Sequence, residues 1–385
     1  MIFTKIKDKL LATYSEFTSW FSEDKKEATP PEKSFTELPQ QLQKSLDNAI
    51  RDLPNHPTHL QAVKEALDST LSNWLHNLSC TNNSLAILSS PVEPISLILQ
   101  NSLESWESDR QITVKILQWQ TRPENANNLQ SKLLKQLGRA TLAQQEKKLE
   151  IIIIPNLTYC FLRSVEGLDG IEYLRDTLLK DRSRFWIIGT GRVAWEYLNT
   201  VCKIDAYFDK TVSLTPLNDE QLQAWLKPII KQLQVDFSKH QEQSGDRQIT
   251  AEKRYFQKLA YASKGISSVA VALFKISLSY EPNELDSETQ NNPVKALDPS
   301  LPKLPDLSAE EHYVLFSVLL HSKITLSHLA ISLGDDESNV QHLVQILCRA
   351  DVLKLEDNLL TVNPLYYPQL RDELDYNNFL IAEDE

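Results

Sequence analysis

The sequence predicts an α/β protein built on a parallel sheet, followed by a helical segment and a smaller α+β domain. Three observations carry this. Between Leu85 and Gly189, apolar strand-like runs alternate with helix-like runs, the order that a parallel sheet with crossover helices requires. Within that stretch Ile151, Ile152, Ile153 and Ile154 stand in a row. A segment apolar at every position is buried on both faces, as in the middle of such a sheet. After residue 306 the pattern changes to three short helices and a hairpin.

Composition bounds the function. The chain has 385 residues, 41% of them hydrophobic, enough for two or three domains with real cores. No run of about 18 apolar residues occurs, and the first residues show no secretory signal, so a soluble cytoplasmic protein is expected. Cys80, Cys160, Cys202 and Cys348 lie far apart without paired spacing, which argues against a zinc site or a disulfide framework. A net charge of −12 opposes non-specific attraction to phosphate backbones.

The elements follow in order. Residues 1–40 open with Phe3, Ile6, Leu10, Tyr14, Phe17 and Phe21 at spacings of three and four, one face of an amphipathic helix, with Lys5, Lys7 and Lys9 near its start. A charged, proline-bearing tether follows. Such a helix docks on its own body, on a partner groove or on a membrane surface through residues 1–22. Residues 41–235 form the α/β domain. Its helical stretch over 42–78 is broken at Pro54 and Pro57. Strands are expected over 85–90, 112–119, 149–155 and 184–189, with helices over 127–140 and 170–181. One more short strand precedes a helix opened by the capping signal Asn218-Asp219-Glu220.

Residues 236–282 contribute a polar loop and two helices joined near Gly265. Residues 283–306, rich in proline, asparagine and acid, read as an interdomain linker. Residues 307–385 then give three helices and a hairpin turning near Asp357-Asn358, the composition of a winged helix.

This order resembles the AAA+ and STAND class of P-loop ATPases over about residues 42–380: helices, an α/β nucleotide domain, a helical lid and a winged helix. Its most specific string is RFWIIGTGRVAWEYLNTVCKIDAYFDKTVSLTPLNDEQLQAWL, over 184–226. That string is similar to the strand, helix and turn that follow the Walker B strand in bacterial STAND-like ATPases.

The resemblance implies sites at which this chain departs from the family. A Walker A loop needs glycines that close backbone amides around phosphate and a lysine that neutralises it. The matching stretch SSPVEPISL, over 89–97, places Ser89, Ser90, Pro91, Glu93, Pro94 and Ser96 there. No glycine precedes Gly138, and no lysine lies between Lys64 and Lys115. Pro91 and Pro94 remove two amides, and Glu93 would repel the anion. At the Walker B position Pro155 and Asn156 supply no carboxylate for a metal-bound water. Gly189, Thr190, Gly191 and Arg192 remain as candidate residual nucleotide or sensor contacts. SKGISSVA stands where related lids carry an arginine, and has none.

Rival patterns are weaker. Gly189 to Ala194 fits the dinucleotide fingerprint G-x-G-x-x-A, with Asp205 or Asp209 as the ribose acid, but it follows three candidate strands instead of opening the first unit. The same glycines serve a tight strand-to-helix turn. His56, His59, His312, His321, His328 and His342 lack a metal-ligand spacing, so core or solvated histidines are expected. Trp186, Trp195 and Tyr197 read as packing residues. From Leu304 onward four basic residues face 15 acidic ones, a net of −11, which points the winged helix toward protein and away from DNA.

The expectation is therefore a pseudo-ATPase: a non-enzymatic scaffold or adaptor without cofactor or metal, binding protein partners, with its first helix free to tether it to a membrane or a partner. The alternatives are a nucleotide- or dinucleotide-binding regulator using the Gly189 to Ala194 turn, and a winged-helix DNA-binding regulator.

Overall fold

The computed structural model describes residues 38–76, 83–104, 113–125, 128–137, 149–181, 183–240, 250–280 and 294–381. The amphipathic segment carrying Phe3, Ile6, Leu10, Tyr14, Phe17 and Phe21 lies outside these residues.

Five parallel strands form the central sheet: β1 (Ser84–Ser89), β2 (Thr113–Ile116), β3 (Glu150–Ile154), β4 (Arg184–Gly191) and β5 (Lys210–Ser213). Their order across the sheet is β2-β3-β4-β1-β5. The isoleucine run is β3, between β2 and β4. Its four side chains divide by parity, as strand geometry requires. Ile152 and Ile154 join Ala86, Trp186 and Ile188 on one face, whereas Ile151 and Ile153 join Leu85, Ile87, Phe185 and Ile187 on the other.

Helices cover both faces. On the second face lie α2 (Pro57–His76) and α3 (Ile95–Glu104), with Trp74 packed against Phe185. On the first lie α4 (Leu129–Leu137), α5 (Asp169–Lys180) and α6 (Arg192–Cys202), with Trp195 edge-on to Phe208 and Tyr197 stacked on Phe161. Three further helices, α7 (Asp219–Leu233), α8 (Ala251–Ser263) and α9 (Ser267–Ser277), pack together around Phe237, Tyr255, Phe256 and Phe274. The Asn218 signal forms a full capping box with Gln221 at the start of α7. Against this group lies α1 (Gln40–Arg51), through Ser45–Gln232 and the ion pair Asp47–Lys275. His56 and His59 are buried and bond the carbonyls of Gln221 and Thr215, tying the turn between α1 and α2 to the start of α7.

The stretch read as a linker is structured where it is described. Val294–Ala296 is a strand, β7, antiparallel to β6 (Leu278–Tyr280). Asp236 bonds both Val294 and Ala296 through the backbone, and Gln369 grips Pro302 and Leu304. Three alternating residues amid prolines and asparagines give too short a pattern to register as a strand, yet the ladder needs no more.

The last domain holds α10 (Ala309–His321), α11 (Leu326–Leu333), α12 (Glu337–Arg349) and the hairpin β8 (Leu353–Glu356) and β9 (Leu359–Val362). Asp357 and Asn358 both take positive φ, the conformation a two-residue hairpin turn needs. Ile324 bridges Leu360 as a third edge of this small sheet. A final helix, α13 (Tyr367–Tyr376), follows. Among the described residues no helix is long and apolar enough to cross a membrane.

Candidate functional site at the carboxyl edge of the sheet

Ligands of open α/β sheets bind outside the carboxyl ends of the strands, where β1, β3 and β4 end here. The connection from β1 to α3 is only Ser90 to Pro94. Pro91 and Pro94 have no amide hydrogen, Glu93 donates its own to Ser90 O, and Ile95 donates to Glu93 O. Ser89 is buried, with its hydroxyl on Ser90 O. Two of the loop's amides are thus turned inward, while the buried Ser90 hydroxyl finds no partner among the described residues.

The tip of the neighbouring strand β4 lies close to this loop and to Pro155. A Cβ on Gly189 would lie 2.5 Å from Pro155 O and 3.0 Å from Ile95 Cγ1. One on Gly191 would lie 3.3 Å from Pro91 Cα. Neither glycine has positive φ; both belong to β4, which runs directly into α6 at Arg192. Both allow close approach of neighbouring backbone.

Asn156 uses its carbonyl oxygen to cap the short turn Leu157–Cys160, accepting from Thr158 N and Oγ1. Thr190 is 0% exposed, and its hydroxyl finds no partner among the described residues. Arg192 donates to Leu214 O. Ser96, half-buried in the first turn of α3, lines the cleft described below.

Glu93 has a partner that the sequence did not indicate. Its carboxylate, in a residue only 9% exposed, accepts from Ser267 N at 2.6 Å and Ser267 Oγ at 2.7 Å. Ser267 is the first residue of α9, whose N-cap Ile266 contributes no side-chain bond. Glu93 therefore caps a helix 174 residues away and places its negative charge at the positive end of that helix.

The dinucleotide pattern fails on geometry. Asp209 accepts from Ser84 Oγ at the amino end of β1, and Asp205 lies in the short turn before β5. Gly191 pairs with Ser89 at the other end. The acid and the glycines stand at opposite edges of the sheet, so they cannot share one ligand in the fingerprint manner.

A cleft of about 1400 Å³ opens beside the β1–α3 loop, with Leu97, Ile116, Trp119 and Tyr159 on the sheet side and Lys323 and Lys354 on the last domain. Neither Cys160 nor Cys348 lines it. Burial pushes the Cys160 thiol up to about 12 and the Cys348 thiol up to about 11, away from nucleophilic thiolate. Among the described residues no group of three or more His, Cys, Asp or Glu is placed to hold a metal.

Sequence reasoning missed the junction between the sheet and the last domain. Arg122, buried, donates to the carbonyls of Thr158 and Phe161. Burial lowers its pKa only to about 10, so it stays charged. His321 donates Nδ1–H to Ser317 O and accepts at Nε2 from Arg163 N. His328 sets Nε2 on Glu124 O and Nδ1 on Thr325 Oγ1. Both imidazoles are neutral, held below the ordinary value by burial first and by Arg122 second. No local signal in the sequence marks these partners.

No known family and no curated protein matches the sequence. Among solved structures, a K64R mutant of Thermotoga maritima RuvB is similar, with 12% identity, 81% of this chain and 94% of that one covered, and a TM-score of 0.33. Cdc6p of Pyrobaculum aerophilum gives 13% identity, 85% and 96% coverage and 0.34. Aeropyrum pernix ORC2, in ADPNP–ADP complexes, gives 12%, 81% and 92%, and 0.33.

Proposed function

We propose that this chain is a catalytically silent scaffold of AAA+/STAND-like layout that binds protein partners, with its first 22 residues as a tether to a membrane or a partner. One observation carries the reading: the loop that would cradle a triphosphate is closed on itself and lends its only acid to α9. Pro91 and Pro94 withhold amides where a phosphate would need them, which supports the reading. Charge supports protein over DNA as partner. The last domain and tail carry a net −11, and α12 holds a single arginine, Arg349.

Thermal shift with ATP, ADP, NAD and NADP tests it, because a ligand at 100 times its Kd adds about 2.7 kcal/mol. No shift is expected with any of the four. Stoichiometric nucleotide in the purified protein, or hydrolysis that disappears in Thr190→Ala or Arg192→Ala, overturns the proposal. Salt-sensitive retention on duplex DNA would favour the regulator instead.

A further inference from the structure

We infer that Glu93 is a built-in latch that holds the α8–α9 segment closed on the sheet without any ligand. The inference deepens the scaffold reading and rests on it, since a bound nucleotide would compete for the same loop.

The physical case begins with the end of α9. Its first amides need acceptors, and neither Ile266 nor a water-exposed surface supplies them at Ser267, which is buried. Glu93 satisfies that residue twice, by backbone and hydroxyl, in a bidentate, charge-assisted contact. Withdrawal of α9 would exchange this charge-assisted contact for bonds to water, losing its net contribution. The loop bearing Glu93 is short, with two prolines and two internal backbone bonds.

Neighbouring contacts pass the closure on. Leu217 N bonds Gly265 O just before α9. At the adjoining end of α8, Lys264 Nζ reaches both oxygens of Asp372 in α13, at 2.7 and 2.9 Å. The end of α8 next to the latch is thus also in contact with the last domain.

Hydrogen exchange of the full chain tests this, read at the amides of 267–271 against those of β3 and β4. In Glu93→Ala, exchange at 267–271 should rise about ten- to a hundredfold, with β3 and β4 little changed. Glu93→Gln, which keeps one acceptor, should fall between, and Ser267→Ala, which removes only the hydroxyl bond, should show a smaller rise. Unchanged protection at 267–271 in all three variants overturns the latch. Should Glu93→Ala fail to fold, the other two variants decide. ATP added to the wild-type chain separates the two ideas: extra protection of 267–271 by ATP sinks the scaffold reading, whereas no ATP effect with no variant effect sinks the latch alone.

Discussion

Gly189 and Gly334 should answer the same added methyl group differently. At Gly189 the methyl meets a carbonyl and a side chain inside contact distance, so Gly189→Ala is expected to cost about 1–3 kcal/mol. At Gly334 nothing lies within 4 Å, and only its φ of +70° resists, at about 1 kcal/mol. Urea denaturation with unchanged m-values checks the ordering. His321 gives a pH test. Its native pKa lies well below the ordinary 6.5 because burial and the Arg122 and Arg163 charges oppose protonation. The unfolded chain therefore binds the proton first as pH falls. Stability should be complete above pH 6.5 and decline below it, by at most about 1.4 kcal/mol per pH unit for that residue, flattening once the native ring also protonates. The His321→Gln variant should show a shallower decline between pH 7 and 5. Sequence could not forecast this, because His321 meets Arg163 across 158 residues. It could name Glu93 as an odd residue in its loop, but not the helix that Glu93 serves.

Elements with strong local signals were legible. The isoleucine strand carries its burial in its own composition, and Asn218 with Gln221 announces the start of α7. Asn218→Ala should lower stability by about 1 kcal/mol, seen as a shift in the denaturation midpoint. Less legible elements had mixed signals. Tyr367, Leu370 and Leu374 mark a buried helical face of α13, yet Pro368 reads as a breaker unless it is recognised as a first-turn residue. β7 had too few residues for alternation to show. The hairpin at Asp357-Asn358 was readable because turn chemistry is local.

At the scale of the molecule, the layer order was legible and the junctions were not. Alternation of strands and helices implies a parallel sheet, but which side chains bind the last domain to it depends on packing between distant segments. His321 and His328 supply that junction through Arg163 N and Glu124 O, with Phe161 against the His321 ring. A chain ending at Leu301 should expose this surface. Its expected signature is a lower thermal midpoint with increased binding of a hydrophobic dye, and a midpoint equal to the full chain would show that the junction contributes nothing.

The position of β1 bears on how the protein is made. Both of its edges pair with strands later in the sequence, β4 and β5, so neither edge can be covered while the ribosome is still adding residues before Arg184. At about 5–20 residues per second the wait from Ser89 to Ser213 lasts on the order of ten seconds. During that interval an apolar strand with two open sides travels with the nascent chain. Slow codons or a holding chaperone over this window should therefore govern yield in the cell more strongly than the stability of the finished protein.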